Sequence, residues 1–289
     1  MPPDFLVIGH IVQDLMPGGN GEAWQLGGTA SYASLLARNL GLRVAILTAS
    51  ADLSLKELLP GIDCRNVPSD CTTRFRNIYR GGRRHQYIPQ RAAGITPGHL
   101  PKEWQQTPIV LLGPVVGEVD EALARCFPGS LLGVSAQGWL REIAPNTRVR
   151  PLAPSRWQAA SILRPARALF VSDEDLLPEE KDSALKQWSP LVEVVAFTQG
   201  AHGADIGHRG RWRHIDAFPA RLVEPTGAGD VFAAAFLIRL WEAKDVWEAA
   251  RFAACAASLV VEREGTAAVP SRDQIEARLR QHLEIVCRP

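Results

Sequence analysis

The chain has 289 residues, of which 46% are hydrophobic and 22% are charged, a composition typical of ordinary globular domains. Its formal net charge of +1 does not favour nucleic acid or a membrane surface as a partner, and no apolar run is long enough to span a bilayer. The five cysteines are scattered without CxxC spacing, so neither a disulfide framework nor a zinc site is expected. Reduced thiols and an N-terminus without signal-peptide features predict a cytoplasmic protein.

Short apolar segments alternate with helical segments along most of the chain. This alternation predicts an α/β fold with a doubly wound, mostly parallel sheet flanked by helices, in a single domain over 1–289. A short hairpin is expected over 204–215. The predicted strands are 5–8, 44–47, 109–112, 131–134, 168–171 and 192–197, and the predicted helices are 32–40, 119–127, 155–163, 181–188, the run from 231, about 246–262 and 272–285.

The segment from about 70 to 90 has a different pattern. Polar and apolar residues alternate over 72–79, Gly81-Gly82 makes a turn, and 85–88 returns as a partner strand, which predicts a half-exposed β-hairpin. Together with about 11–26, where 17–21 is a turn, it predicts a small sheet that serves as a lid over the site. A surface hairpin with no role in the site is the alternative.

Polar and small residues follow the first predicted strand. Asp14 lies just past its end, where ligands bind in open α/β sheets, although a turn-capping aspartate fits the pattern equally well. Gly27-Gly28 opens the first helix without forming GxGxxG, so the dinucleotide fingerprint is missing. These glycines are expected to bring backbone N–H groups near a hydroxylated ligand, or else to allow close packing of helix and strand.

Residues 224–230 read Glu-Pro-Thr-Gly-Ala-Gly-Asp and precede an apolar, alanine-rich run. The pattern predicts a loop that enters a helix N-terminus, where unpaired N–H groups and the helix dipole favour an anion such as phosphate. Asp230 would lie in the first turn, where a carboxylate can take a proton from the group that attacks the phosphate. A plain helix start, with Thr226 or Asp230 as its cap, is the other interpretation.

Four segments in register resemble the PfkB (ribokinase-like) carbohydrate kinases over nearly the whole chain. Residues 27–28 are similar to the family's N-terminal di-glycine signature, and residues 198–203 are similar to its Thr-x-Gly-x-x-Gly nucleotide segment. Residues 225–232 are similar to its C-terminal signature, and residues 265–270 are similar to its closing segment beside the nucleotide.

The resemblance implies transfer of the ATP γ-phosphoryl group to a hydroxyl of a sugar or a similar small molecule, with Mg²⁺ bridging the phosphates. Asp230 matches the catalytic base, and the N–H groups of Gly227, Ala228 and Gly229 match the anion hole. The other matching positions are Asp14, Gly27 and Gly28 for the substrate, and Thr198, Gly200, Gly203 and Thr226 for the nucleotide.

Three parts of the sequence depart from the family pattern. Tyr32 stands where the family has a sugar-binding Asn, which argues against a ribose-type pocket. The family's Asn-x-x-Glu motif, which acts near Mg²⁺ and phosphate, is replaced by residues 172–175. Ser172 with Asp175 keeps the spacing of the motif, and Glu174 is the alternative for the acidic role. Either acid would act through Mg-bound water. The leading acid of the C-terminal signature, usually Asp, is Glu224 in this sequence. In cation-dependent members of the family that acid helps to hold potassium, so K⁺ dependence stays open.

Residues 112–118 and 135–141 are similar to the branch that contains plant-type myo-inositol kinases, which also lacks the sugar-binding Asn. Gln137 and Arg141 follow a predicted strand and could contact a polyol there. A loop that is simply packed by Trp139 is the alternative interpretation.

The leading hypothesis is therefore an ATP-dependent kinase for a sugar or cyclic polyol, with a myo-inositol-like substrate favoured. A nucleoside kinase of the same fold, and a catalytically silent regulator that binds nucleotide or sugar, are the competing hypotheses. The intact 227–230 motif argues against the silent regulator. A lid sheet with exposed edges also predicts a homodimer formed through the lid.

Overall fold

The structure is a computed structural model that describes residues 1–16, 23–51, 54–80 and 83–288. The predicted turns at 17–21 and at Gly81-Gly82 lie outside the described residues. The strands are β1 Phe5–Ile8, β2 Val12–Leu15, β3 Trp24–Gly27, β4 Val44–Ser50, β5 Asp63–Pro68, β6 Thr73–Arg80, β7 Arg83–Gln90, β8 Ile109–Leu112, β9 Leu131–Ser135, β10 Arg141–Ile143, β11 Val149–Pro151, β12 Ala168–Ser172, β13 Val194–Thr198, β14 Ala204–His208 and β15 Arg211–Ile215. The α-helices are α1 Thr29–Asn39, α2 Leu55–Leu58, α3 Ala160–Leu163, α4 Lys181–Trp188, α5 Ala228–Ala243, α6 Val246–Val260 and α7 Arg272–Gln281.

The main sheet has nine strands in the order β15-β14-β13-β12-β9-β8-β1-β4-β5. Neighbouring strands from β5 to β13 are parallel, and β13, β14 and β15 pair antiparallel at one edge. Parallel neighbours require crossover connections, so the predicted doubly wound sheet is confirmed. The strand order reverses between β1 and β8, and in such sheets this is where a crevice for ligands opens.

Side chains of the central strands are buried on both faces of the sheet. In β1, Phe5 and Val7 pack in the core cluster that contains α1, α5 and α6, whereas Leu6 and Ile8 pack in the cluster on the opposite face with α3 and α4. This alternation explains why the central strands read as continuous apolar runs in the sequence. Among the described residues, no helix is long and apolar enough to cross a membrane.

A second, smaller sheet has the strand order β3-β2-β6-β7. Strand β2 pairs antiparallel with β3 and parallel with β6, and β6 pairs antiparallel with β7. Its buried face holds Val12, Phe75 and Ile88, which pack against Val115 and Val116 of the loop after β8. The predicted small sheet beside the main one is therefore present, and we call it the small sheet below.

Several local predictions differ from the structure. Strand β5 was not predicted, because an edge strand with one partner needs no apolar run and this one alternates polar residues up to Pro68. The hairpin β10–β11 is too short to show a period in the sequence. The predicted helix at 119–127 is a 3₁₀ helix over Glu121–Cys126, confined between the Asp120 cap and Pro128.

Other helix predictions differ mainly in their ends. The predicted helix at 155–163 is divided into a 3₁₀ turn at Pro154–Arg156 and the short α3. Helix α1 begins at Thr29, three residues before the predicted start, directly after Gly28. Helices α6 and α7 end two and four residues earlier than the predicted ends at 262 and 285. Such errors at element ends are expected, since helix termini fray.

Candidate active site

A cavity of about 570 Å³ opens at the carboxyl edge of the main sheet. One half is lined by residues after β1, β8 and β9 together with side chains of the small sheet. The other half is lined by residues after β13 and by one face of α6. Residues 225–230, at the start of α5, line the cavity as well. Because β8 and β13 are separated by β9 and β12 in the sheet, the cavity has room for two ligands side by side.

The N-terminus of α5 opens onto this cavity. Gly227 is the N-cap residue and has a left-handed backbone with φ of +84°. No acceptor for the N–H of Gly227 or of Gly229 is found among the described residues, and the N–H of Ala228 donates to Pro225 O at a long 3.3 Å. These donors, with the positive end of a 16-residue helix, form a site suited to phosphate.

Asp230 lies in the first turn of α5 and lines the same cavity. Burial raises the pKa of Asp230 to about 6, while the nearby Thr29 hydroxyl and Arg141 guanidinium lower it and the Asp175 carboxylate raises it further. A carboxylate with a raised pKa is a better proton acceptor than an exposed one and is still ionised at neutral pH. The chemistry of a general base is therefore present at this position.

This raised pKa predicts the pH profile of any reaction that uses Asp230 as its base. Since the ionised carboxylate is the active form, kcat/KM should rise about tenfold per pH unit below pH 6 and level off above it. Initial rates between pH 4.5 and 8.5 in buffers of constant ionic strength would measure this limb. An acidic limb centred near pH 4 would contradict the proposed environment of Asp230.

The half of the cavity beside β13 is mostly apolar. Thr198, Gly200 and Gly203, which sequence analysis placed with the nucleotide, all line it, as does Thr226. Beyond them the wall is formed by small and apolar residues of α6 and of the chain before α5. They are Phe218, Pro219, Leu222, Ala254, Ala257 and Val261. A slot with these walls suits a flat apolar group such as a nucleobase.

The half of the cavity beside β1 and β8 is more polar. Asp14 on β2 lines it, with 9% of its surface exposed, and a Cβ at Gly27 would clash with the Asp14 carboxylate. Gly28 also lines the cavity, whereas Gly27 lies under Asp14 and is not part of the wall. The two glycines therefore differ in position: Gly27 leaves room for Asp14, and Gly28 faces the cavity.

The small sheet contributes side chains that sequence analysis did not single out. Phe75 and Asn77 of β6 and Gln86 of β7 line the cavity, and Gln86 Nε2 donates to Asn77 Oδ1 at 3.0 Å. Phe75 is in the hydrophobic cluster of this sheet, so its ring is a fixed wall. Only their alternation with apolar residues in the hairpin could have indicated these side chains from the sequence.

Gln137 and Arg141 both line the cavity, at the two ends of a 3₁₀ turn. Trp139 between them is 8% exposed, stacks on Trp157 at 6.0 Å and donates from Nε1 to Val119 O, so it packs the loop. The two interpretations of this segment are therefore compatible. Arg141 also donates to Val115 O at 3.2 Å, which ties it to the neighbouring loop after β8.

A buried carboxylate fixes that neighbouring loop. Glu118 is 2% exposed and accepts hydrogen bonds from the N–H groups of Val115, Val116 and His10. Because a buried carboxylate is costly without such donors, these bonds lock the backbone of Val115, which lines the cavity. The sequence gives no period or motif that indicates this role for Glu118.

Tyr32 does not occupy the position in the cavity that its alignment with the family's Asn implies. It is 1% exposed and belongs to the core, and a Cβ at Gly227 would clash with its ring. Burial and then the charges of Glu224, Asp14 and Asp230 raise the pKa of its phenol, which therefore stays neutral. The ring supports the turn at Gly227 from below.

Residues 172–175 form a compact acidic turn after β12. The N–H of Ser172 donates to Asp175 Oδ2 at 2.9 Å, and Ser172 Oγ accepts from the N–H of Glu174 at 3.2 Å. Ser172 and Glu174 line the cavity, whereas Asp175 is buried behind them at 7% exposure. Their carboxylate oxygens fit Mg²⁺ held through water, and among the described residues no cluster of three metal-binding side chains occurs.

Glu224 connects three segments of the site. Its Oε1 accepts from Gln25 Nε2 of β3 at 3.1 Å, and its Oε2 accepts from the N–H of Gly265 at 2.8 Å. It therefore links the small sheet and the segment 265–270 to the chain before α5. Both donors are neutral groups, so they add no positive charge beside the carboxylate.

Part of the chain is similar in sequence to known carbohydrate kinases. Residues 140–273 match the model of the pfkB family carbohydrate kinases. A ribokinase from Haemophilus influenzae is 31% identical over 137 residues, which are 39% of this chain and 45% of that protein. The match thus spans less than half the length of this curated relative, and the same is true of the ribokinase from Bacillus subtilis.

Two solved structures share the fold. A pyrophosphate-dependent kinase in the ribokinase family, complexed with a pyrophosphate analog and myo-inositol, superposes with a TM-score of 0.77 and 21% identity, covering 94% of this chain and 99% of that one. Arabidopsis thaliana ribokinase, complexed with ribose and ATP, gives 0.74 and 20%, covering 97% and 99%. The chain thus has the ribokinase fold. The resemblance to the PfkB (ribokinase-like) carbohydrate kinases is confirmed.

Proposed function

We propose that this protein is a small-molecule kinase that transfers the γ-phosphoryl group of ATP to a hydroxyl of a sugar or cyclic polyol. The observation that carries the proposal is the position of Asp230, at the helix N-terminus where the polar and the apolar halves of the cavity meet. The comparisons with carbohydrate kinases support the same reaction class.

In this reaction the acceptor hydroxyl gives its proton to Asp230 while its oxygen bonds to the γ-phosphorus. The bond from that phosphorus to the bridging oxygen of ADP breaks. The backbone N–H groups of Gly227, Ala228 and Gly229 stabilise the charge on the transferring group. Since Ala228 N–H also contacts Pro225 O, Gly227 and Gly229 are the readier donors. Phosphoryl transfer requires such positioning and charge stabilisation more than covalent participation of the protein.

A nucleotide donor is proposed because half of the cavity is apolar. The wall there includes Ala254, Ala257 and Val261 of the α6 side together with Phe218 and Leu222, and none of these side chains can hold a phosphate. Pyrophosphate, the donor named for one protein of the same fold, would leave this apolar half unfilled. A nucleobase would bury it, at a gain of about 25 cal/mol for each Å² of apolar surface removed from water.

Two cations belong to this proposal. Mg²⁺ would be held by the phosphates and, through water, by Glu174 and Asp175, and it neutralises phosphate charge when bound. Ser172 holds Asp175 in place for this role. Potassium is proposed only as a cation beside Glu224, where it would share the carboxylate with Gln25 and Gly265.

A cyclic polyol of myo-inositol type is the favoured acceptor. Asp14 and Arg141 place opposite charges in the cavity wall. Hydrogen bonds to hydroxyls are available from Gln137 and from the paired amides of Asn77 and Gln86. Apolar walls formed by Phe75, Val12 and Val115 suit the C–H face of a ring. The solved structure with bound myo-inositol supports this choice within the same fold. A nucleoside as the acceptor is the alternative that the test includes.

We propose that residues 1–289 form one kinase domain. The small sheet, from about 11–26 and 70–90, is proposed to be a lid over the acceptor. The lid role is supported by the position of Asp14, Phe75 and Asn77 in the cavity wall. A homodimer through the edge of this sheet is proposed from β3, which pairs only with β2, whereas the outer edge of β7 accommodates the segment at Thr147–Arg148.

The proposal is tested by measuring phosphorylated product with MgATP or Mg-pyrophosphate as donor, in potassium or in sodium buffer. The acceptors are inositols, hexoses, pentoses and nucleosides. We expect turnover with ATP and one cyclic polyol or sugar, and none with pyrophosphate. Strong turnover on nucleosides would overturn the choice of acceptor, and turnover with pyrophosphate would overturn the choice of donor. ATP binding without turnover on every acceptor would contradict the kinase.

A further inference from the structure

The hydroxyl of Thr29 is the buried polar group at this site that the reaction above does not use. Thr29 is 1% exposed, and its Oγ1 has no hydrogen-bond partner among the residues that the structure describes. Leaving a buried hydroxyl unpaired costs about 1–3 kcal/mol. The two serine hydroxyls of α1 are paired, since Ser31 donates to Gly27 O at 2.7 Å and Ser34 donates to Ser31 O at 3.0 Å. Thr29 thus differs from both serines of its helix.

The orientation of Thr29 is fixed by Gly113, the residue after β8. A Cβ at Gly113 would clash with the Thr29 methyl group, and the Thr29 hydroxyl is the farther atom from that point, at 3.5 Å. The methyl group therefore packs onto Gly113 and the hydroxyl lies on the other side. Because a β-branched side chain in a helix has few χ1 rotamers, this packing holds the oxygen in one place.

That place is the wall of the cavity, beside the Asp230 carboxylate. Thr29 begins α1 and Asp230 lies in the first turn of α5, and these two helices pack against each other. One of the groups that lower the pKa of Asp230 is this hydroxyl, although no aligned hydrogen bond joins the two. A small rotation of either side chain, as when a ligand enters, would align them.

We propose that Thr29 is a positioning residue for Asp230. Its hydroxyl donates a hydrogen bond to one oxygen of the Asp230 carboxylate and leaves the other oxygen to face the acceptor hydroxyl. This inference rests on the proposed kinase function. With Thr29 on one oxygen, the carboxylate plane is fixed, and the acceptor proton has a single oxygen to move to as the new bond to phosphorus forms. The hydrogen bond also stabilises the ionised form of the base.

Two charged groups on neighbouring elements act on Asp230, and one neutral titratable group lies nearby. Arg141 from the start of β10 favours its ionised form, Asp175 from the turn after β12 disfavours it, and the neutral Tyr32 lies one turn along α1 from Thr29. None of these changes when only the Thr29 hydroxyl is removed. A change in the titration of Asp230 in such a variant would therefore report on the hydroxyl alone.

The test compares Thr29→Val, which keeps the shape and removes the hydroxyl, with Thr29→Ser, which keeps the hydroxyl. Ser34→Ala is the matched control, because it removes a buried hydroxyl of the same helix that bonds only within that helix. We expect Thr29→Val to lower kcat about tenfold and to move the acidic limb of kcat/KM to higher pH, with the KM for ATP unchanged. Thr29→Ser should restore both, and Ser34→Ala should match the wild type.

A second measurement separates this inference from the kinase function. The carboxyl of Asp230 is titrated by ¹³C NMR in aspartate-labelled protein without substrate, its signal being assigned from Asp230→Asn. A higher carboxyl pKa in Thr29→Val supports the inference even if no acceptor is turned over. Superimposable titrations and pH–rate profiles of Thr29→Val and wild type would overturn it. Thr29→Ala replaces Thr29→Val if the valine variant does not fold.

Discussion

Replacing Asp230 with Asn should lower kcat by about 10²–10⁴-fold, because the amide cannot take the proton from the acceptor hydroxyl. ATP binding should be retained, since the apolar half of the cavity and the N–H groups of Gly227 and Gly229 are unchanged. Steady-state rates and calorimetric titration with ATP would separate these two effects. A variant with more than a tenth of the wild-type kcat would exclude Asp230 as the base.

The same substitution should not destabilise the fold, and this provides its control. The native pKa of Asp230 is raised to about 6 from 3.8, so the ionised native form is disfavoured relative to the unfolded chain. The stability cost is absent below about pH 4 and grows until the pH passes 6, reaching roughly 3 kcal/mol at most. Asn removes this cost. We therefore expect Asp230→Asn to melt at or above the wild-type temperature at pH 8, and a lower melting temperature there would contradict the buried environment.

Replacing Gly227 with Ala should also lower kcat strongly, by about 10²-fold or more, through loss of a donor to the transferring phosphoryl group. Gly227 has a φ of +84°, which an alanine adopts at a cost, and the new Cβ would clash with the Tyr32 ring. Since Tyr32 is fixed in the core, the turn at Gly227 must move, and its N–H groups no longer point at the transferring phosphoryl group. Steady-state kinetics with saturating acceptor would measure the effect.

Gly41→Ala is the matched control for Gly227→Ala. Gly41 follows α1 with a similar φ of +90°, and no atom lies within 4 Å of the position of its Cβ. This variant should lose about 1 kcal/mol of unfolding free energy from backbone strain alone and keep full activity. Wild-type kcat in Gly227→Ala would show that the geometry of this turn is not needed for catalysis.

The pKa of Asp230 reflects a balance between influences that raise it and influences that lower it. Burial is the largest influence on the pKa of Asp230 and disfavours the ionised form, which is the form that can accept a proton. Arg141 and the Thr29 hydroxyl act in the opposite direction, and the resulting pKa of about 6 leaves Asp230 ionised at pH 7 and still basic. A general base is most effective when its pKa is close to the working pH, so the donors around Asp230 matter as much as its burial.

Features that depend on neighbouring residues could be predicted from the sequence. Apolar runs with helical segments between them predicted the doubly wound sheet, because central parallel strands are buried on both faces. The segment 224–230 predicted a helix N-terminus facing an anion, since glycine backbone and unpaired N–H groups are properties of neighbouring residues. In the same way, the alternation over 72–79 predicted the small sheet.

Contacts between residues that are distant in the sequence could not be predicted in this way. Thr29 lies 201 positions before Asp230 and depends on the missing side chain of Gly113, and nothing in the sequence near any of them indicates this contact. Tyr32 was interpreted from the sequence only as the loss of a sugar-binding amide, and the crossing of α1 and α5 is what places its ring beneath Gly227. These contacts depend on the angle and distance between packed elements, and packing of that kind is not encoded in the pattern of any one segment.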